Sequence, residues 1–376
     1  MRIRDYRITF PADELERLRR KLNDTRWPQA ESVSDWSQGT PLGYLREFCA
    51  YWANTYDPAP LLQRLDNLPQ FVASIDDAEV HFVHVRAANP DAPALLMTHG
   101  WPGSIVEFLK AIAPLSESDP AHAGGLAFHL VLPTLPGYGY SSAPPSAGWG
   151  VERIASTWAR LMSELGYTRY FAQGGDWGAA VTTQIALQDP THCVGMHTNM
   201  PIVVPRGDLL ENLTANEESA LAGRKFYQRW DSGYSKQQST RPQTVGYGLV
   251  DSPAGLAGWI VEKFYQWTDC NGDLSNVLSR DELIDNLMMY WMPGAGASSG
   301  RLYWESFGRA DMRPVTIPSG VSMFPKEIFR SSERWVRSRY TNLVHFSELD
   351  VGGHFAAFEC PDVFVSELKT CFAKMR

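Results

Sequence analysis

Residues 169–190 constrain this chain more than any other stretch. A short apolar segment, Tyr170-Phe171-Ala172, leads into Gly174-Gly175-Asp176-Trp177-Gly178-Ala179, and a helix-like run of small and apolar residues follows up to Asp189-Pro190. The pattern predicts a strand, a sharp turn and a helix, with an acid at the apex and small residues on both sides. This is the grammar of a nucleophile elbow, G-x-S-x-G, with Asp where Ser would stand. A one-residue turn between strand and helix strains its central residue, and the neighbours must be nearly free of side chain. The strain points Asp176 out of the sheet toward a ligand, and the helix behind it brings its positive end under the carboxylate. The plainer reading is a glycine-rich turn in which Asp176 caps the helix. Which reading holds depends on what else the chain carries.

The 376 residues suffice for one large or two modest domains around a substantial core. A hydrophobic content of 44% with 13 Trp is that of a globular chain. The net charge of -8 argues against a nucleic-acid footprint and against a basic membrane-surface face. No run of about 18 apolar residues occurs, so no spanning helix is expected. The opening Met1-Arg2-Ile3-Arg4-Asp5 does not read as a signal peptide. Cys49, Cys193, Cys270, Cys360 and Cys371 are odd in number and widely spaced. They form neither a C-x-x-C pair nor a zinc spacing, which predicts unpaired thiols, a reducing cytoplasmic home and no metal site.

Along the chain, residues 1–75 show amphipathic helices at 13–22 and 44–56 rather than strand–helix alternation, and read as an arm wrapping the main domain. From residue 79 the rhythm changes. Strands are expected at 79–85, 94–97, 128–132, 169–172 and 193–197, with helices at 105–112, 151–165 and 179–187 between them. Such alternation predicts an α/β fold, a mostly parallel sheet with helices on both faces. After Asn199-Met200-Pro201 the rhythm stops, and an aromatic-rich helical block follows with helices at 217–230, 256–267 and 280–290. Strands return at 315–323 and 343–349, with helices at 332–339 and 361–372. The segments are therefore an arm (1–75), a first core part (76–200), a helical cap inserted after the sixth strand (201–305) and a second core part (306–376). A block inserted there overhangs the carboxyl ends of the strands, where such sheets bind ligands, and Asp176 lies at one of those ends.

An elbow nucleophile needs a base and an acid, which follow it in the order acid, histidine. Downstream of Asp176 stand His192, His197, His345 and His354. His354, in Val351-Gly352-Gly353-His354-Phe355, follows the last strand in a loop with two glycines and is the favoured base. His345 lies inside a strand and reads as packed. His81 and His84, three apart in a strand, face opposite sides and make a poor metal pair. The acid should follow a strand end: Glu327 is the first carboxylate after the 315–323 strand. The position after the sixth strand, His197-Thr198-Asn199-Met200, offers none. Asp350 is the rival, and the plainer reading of Glu327 is the first turn of a surface helix. Backbone N–H groups of Trp101, in His99-Gly100-Trp101-Pro102-Gly103, and of Trp177 are the expected oxyanion donors.

An Asp nucleophile narrows the chemistry. A carboxylate displaces a leaving group from sp³ carbon and becomes an alkyl ester. Water activated by His354, whose ring Glu327 orients, then cleaves that ester. The two leading groups to be displaced are an epoxide oxygen and a halide. An alkoxide needs a proton donor, whereas a halide needs N–H donors, and Trp177 carries one beside the Asp. A haloalkane dehalogenase is thus the alternative, and a non-enzymatic binding protein a third. No metal or organic cofactor is implied.

The motifs His99-Gly100-Trp101-Pro102, Gly174-Gly175-Asp176-Trp177-Gly178 and Gly352-Gly353-His354-Phe355 together resemble the microsomal-type epoxide hydrolases of the α/β-hydrolase fold. So do Thr25-Arg26-Trp27-Pro28 and Pro69-Gln70-Phe71 in the arm, and Gln238-Ser239-Thr240-Arg241-Pro242 in the helical block. The likeness runs nearly end to end. The resemblance implies two cap tyrosines that hydrogen-bond the epoxide oxygen and protonate it as the ring opens. By motif these are Tyr234, in Asp231-Ser232-Gly233-Tyr234, and Tyr303, in Gly300-Arg301-Leu302-Tyr303. The residues alone leave six candidates: Tyr227, Tyr234, Tyr247, Tyr265, Tyr290 and Tyr303. The membrane-bound members carry an N-terminal anchor; none is expected here, and the chain resembles the soluble bacterial or fungal forms. Tyr56-Asp57-Pro58 has Pro where the family pattern has Trp, which touches the arm and not the chemistry. Some bacterial relatives act on bulky epoxides in antibiotic biosynthesis, including enediynes, and the aromatic-rich cap suits a bulky aromatic or lipophilic substrate, in such a pathway or in aromatic hydrocarbon catabolism. The partners to expect are an epoxide and water, with no nucleic acid and no membrane. A homodimer is the open option.

Overall fold

The computed structural model describes residues 1–118 and 125–376. Its frame is a nine-stranded sheet of β1 (Arg2–Asp5), β2 (Gln70–Ile75), β3 (Ala78–Val85), β4 (Ala94–Thr98), β5 (His129–Pro133), β6 (Tyr170–Gly174), β7 (Cys193–Thr198), β8 (Ser319–Met323) and β9 (Leu343–Glu348), in the order β1-β2-β3-β5-β4-β6-β7-β8-β9. The strands from β5 to β9 pair in parallel, whereas β1, β2 and β3 run antiparallel to their neighbours. Every residue of β4, β5, β6 and β8 is buried. Continuous apolar runs of this kind suit a sheet covered on both faces.

The coverage follows from the sequence. Helix Val151–Glu164 turns Ile154, Ala155, Trp158, Leu161 and Met162 inward, an i, i+3/i+4 stripe. Helix Trp177–Gln188, behind the elbow, is buried almost all round, and its small residues let it pack tightly. Helix Pro361–Ala373 carries Phe372 into a stack with Phe171 of β6, centroids 4.7 Å apart.

Two strands come from the segment that shows no strand pattern. β1 is four residues, Arg-Ile-Arg-Asp, mostly exposed at the sheet edge, where charge discourages further pairing. β2 and β3 form a hairpin through Asp76-Asp77, with Asp76 at φ 53°. Setting aside the short edge strand β1, the helical block follows the sixth strand, β7.

The block contains helices Ala215–Phe226, Gly233–Thr240, Pro242–Asp251, Pro253–Trp267, Arg280–Trp291 and Arg301–Ser306. A π-helical turn, Tyr227–Asp231, directly precedes the Gly233–Thr240 helix. The N-terminal helices Ala12–Asn23 and Leu42–Asn54 lean on this block as well as on the core. Lys21 Nζ lies 2.7 Å from Asp251, Trp36 stacks on Tyr265 at 3.9 Å, and Tyr56 donates to the buried Asp285 at 2.7 Å. No described helix is long and apolar enough to cross a membrane, and all five cysteines are free.

Candidate active site

Asp176 sits at φ 50°, a backbone conformation that side chains rarely adopt, between the end of β6 and helix Trp177–Gln188. Its side chain makes no capping hydrogen bond to that helix. Instead Oδ1 accepts the backbone N–H of Trp101 at 2.8 Å. The plainer reading of Asp176 as a cap therefore fails: the carboxylate faces away from its own helix. Gly100 makes the approach feasible, since a Cβ there would lie 2.4 Å from Oδ1. Trp177, the other expected donor, does not hydrogen-bond the Asp176 carboxylate through its backbone N–H, and its indole N–H is buried without a partner.

His354 reaches the other carboxylate oxygen, with Nε2 3.5 Å from Oδ2. Its Nδ1 lies 2.7 Å from Glu327 Oε1. Glu327 is 4% exposed, and the residues around it are not helical, so it is no surface-helix residue. It is also held by the Ile328 N–H at 2.7 Å and by Asn199 Nδ2 at 3.3 Å. The rival Asp350 is exposed. The other histidines are engaged elsewhere: His345 with Glu367, His197 with Ser322, and the exposed His192 with Asp189. His81 bonds Thr134 and Gln70 inside the sheet, and His84 bonds Tyr167.

Of the six block tyrosines, Tyr234 and Tyr303 come together at the elbow. Tyr234 stacks on Trp101, centroids 4.8 Å apart and planes 8° from parallel, and Tyr303 meets Trp177 edge-on at 4.8 Å. The two rings lie 5.7 Å apart. The Tyr303 hydroxyl is buried beside Tyr234 without a well-formed hydrogen bond. The Tyr234 hydroxyl shares a 3.0 Å hydrogen bond with Tyr227. Both tyrosines line, with Asp176, a cavity of about 300 Å³ whose walls include Met200, Val203, Leu221 and Phe329. Tyr247 is 67% exposed, and Tyr290 is spent on the Gly103 carbonyl.

Comparison with known proteins bears on the family. Residues 3–108 match the family described as epoxide hydrolase N terminus, and residues 93–247 match the alpha/beta hydrolase fold. A Stigmatella aurantiaca protein assigned to the epoxide hydrolases is 46% identical over 377 residues, covering 100% of this chain and 86% of its own length. Epoxide hydrolase 1 of Sus scrofa is 33% identical, covering 98% of this chain and 88% of its own. This chain belongs to the epoxide hydrolases. Its fold superposes on the juvenile hormone epoxide hydrolase of Bombyx mori with a TM-score of 0.93 at 31% identity, covering 100% of this chain and 95% of that one. The Aspergillus niger epoxide hydrolase follows at 0.91 and 28%, covering 100% and 97%.

Within this epoxide hydrolase fold the charges at the site are set by burial together with the neighbouring carboxylates. Burial alone would push His354 down, but the charge of Glu327 and the hydrogen bonds to Asp176 and Glu327 hold its imidazolium form well above the ordinary range. Burial drives Tyr234 and Tyr303 well above the usual phenol value, with nearby Asp176 adding to it. Both hydroxyls thus keep their protons at any working pH.

Several supporting residues carry no signal that sequence reasoning uses. Trp267 accepts the His354 backbone N–H at 2.8 Å and sets its ring 5.1 Å from the imidazole. Asn199, just after β7, bonds both Glu327 and the His354 carbonyl. Lys263, buried in an otherwise largely apolar helix, pairs with Asp231 at 2.7 Å and lies 4.9 Å over the Tyr234 ring. Glu262 stands directly before it in the helix, so the sequence carries no distinct signal for this support either.

Proposed function

We propose that this chain hydrolyses an epoxide to a vicinal diol through an ester on Asp176. The supporting observation is the meeting, in one cavity, of a carboxylate and two buried, protonated tyrosyl hydroxyls. Asp176 Oδ2 attacks a ring carbon, the carbon–oxygen bond of the ring breaks, and Tyr234 and Tyr303 hydrogen-bond the departing oxygen. One of them yields its proton to the alkoxide. Oδ1 stays on the Trp101 N–H throughout, which aims the other oxygen at the substrate.

Esterification removes the negative charge of Asp176. One of the influences that keeps His354 protonated then disappears, so its imidazolium releases a proton to solvent and the neutral imidazole serves as the base. It takes a proton from water, which adds to the ester carbon. Trp101, with Trp177 as a second donor, steadies the resulting oxyanion. The proton left on the Asp176 carboxyl after hydrolysis restores the tyrosine, and His354 regains its proton from solvent as the Asp176 charge returns, so the sum is epoxide plus water to diol.

Residues 201–305 act in this reading as a cap that supplies the acids, while segments 76–200 and 306–376 supply nucleophile, base and Glu327, and the 1–75 arm braces cap against core. The apolar walls of the cavity suit a bulky lipophilic or aromatic epoxide. Halide displacement would need no proton, and two tyrosines poised as acids speak against it. Assaying styrene-oxide-like epoxides and haloalkanes side by side tests the reading. Diol release without halide release is expected, and halide release alone would refute it.

A further inference from the structure

Among the described residues, Asp176 is the one side chain that lines both the large cavity and a second, much smaller one. The large cavity has the tyrosines on its walls and not His354. The small one, about 20 Å³, is bounded by His354, Asn199, Gln173, Thr98 and Glu107, and by neither tyrosine. A volume of that size holds one water when two or more polar partners are at hand. Three residues on its walls carry a buried polar atom with no partner: Thr98 Oγ1, Glu107 Oε1 and Gln173 Oε1. Such orphans are rare in folded proteins, and three around one water-sized space share a single explanation.

Glu107 is the unexpected member. It lies in the 3₁₀ turn Ile105–Phe108, which Ser104 caps by accepting the Val106 N–H. Its carboxyl fills the place where a side chain on residue 103 would project: a Cβ on Gly103 would come within 1.3 Å of Oε1. Burial pushes this carboxyl up to about 8, with His354 opposing the rise and Asp176 adding to it. At neutral pH it is an uncharged acid that does not compete with Glu327 for the imidazole.

We infer that the small cavity seats the hydrolytic water and that Glu107 is the positioning residue for it, so that alkylation and hydrolysis are served by separate cavities meeting only at Asp176. This rests on the epoxide hydrolase reading above. The water oxygen bonds to Cγ of the esterified Asp176 while one of its protons passes to His354 Nε2. The other proton is held by Glu107 Oε1. The carbonyl electron pair moves to Oδ1 on the Trp101 N–H. Collapse breaks the Cγ–Oδ2 bond, and the diol leaves with Oδ2 and the proton from His354.

The test separates the two steps. Single-turnover kinetics with styrene oxide, following protein mass for the ester and diol for its hydrolysis, are compared for wild type, Glu107→Leu and Glu107→Gln. The inference expects ester formation within about 2-fold of wild type in both variants. In Glu107→Leu, hydrolysis slows about 10- to 100-fold, the worth of one well-placed hydrogen bond, and the ester accumulates. Glu107→Gln, whose amide oxygen still accepts, restores hydrolysis to within a few-fold. Equal slowing of both steps in either variant, or wild-type hydrolysis in Glu107→Leu, overturns it. A wild-type enzyme that forms diol without ever forming an ester refutes the underlying reading instead.

Discussion

The two cavities that meet at Asp176 differ in size and lining. One is about 300 Å³, with apolar walls and two tyrosyl hydroxyls; the other is about 20 Å³, with a histidine and several buried polar atoms without partners. A single cavity serving both steps would have to accept a greasy substrate and still hold one water in a fixed place. Division between two cavities removes that conflict, because the apolar wall need not bind water and the polar wall need not bind substrate. The carboxylate joins them: Oδ1 is fixed on the Trp101 N–H and Oδ2 lies within reach of His354.

The comparison can be broken from either side. Asp176→Ala removes what the cavities share, and steady-state diol formation should fall by about 10⁴-fold or more. His354→Gln strikes the small cavity alone: the ester should still form, while its hydrolysis slows by about 10²- to 10⁴-fold, seen as a stable mass adduct on the protein. Tyr303→Phe strikes the large cavity alone. Ester formation should slow by about 10²-fold, near 3 kcal/mol, with hydrolysis of the ester unchanged, and Tyr234→Phe should behave likewise. If either tyrosine variant slows hydrolysis as much as alkylation, the division fails. The smallest effect concerns stability. Glu107 is raised from the ordinary 4.5 to about 8 in the folded protein. The unfolded chain ionises it first, so stability is lost as pH rises from about 4.5 and levels off above about 8. Glu107→Gln removes that loss, and melting temperatures across this range should show the variant gaining on wild type as pH rises.

Much of this was legible in the sequence, for identifiable reasons. The elbow was visible because a strained turn demands small residues at fixed offsets around Asp176. His354 stood out by its two preceding glycines, and Glu327 by its place after a strand. β1 escaped because four residues with three charges carry no strand pattern, and β2 because its alternation is short and its turn, Asp76-Asp77, lacks the glycine of the usual two-residue hairpin. Helices Gly233–Thr240 and Pro242–Asp251 were obscured by glycine, serine, threonine and proline, residues whose helix preference is weak. The convergence of Tyr234 and Tyr303 was invisible to spacing alone, since it arises from Tyr234 stacking on Trp101 and Tyr303 meeting Trp177 edge-on, across segments far apart in sequence. Glu107 was hidden for a different reason. In sequence it is one acid among apolar neighbours, and only the tertiary fold brings it beside Thr98, Gln173 and Asp176.

A single turnover in heavy-oxygen water tests the central claim most directly. With enzyme in excess over epoxide, the first diol should carry no heavy oxygen, and the peptide containing Asp176 should gain one heavy atom. Heavy oxygen in that first diol, with Asp176 unlabelled, would show water attacking the epoxide itself and would contradict the account.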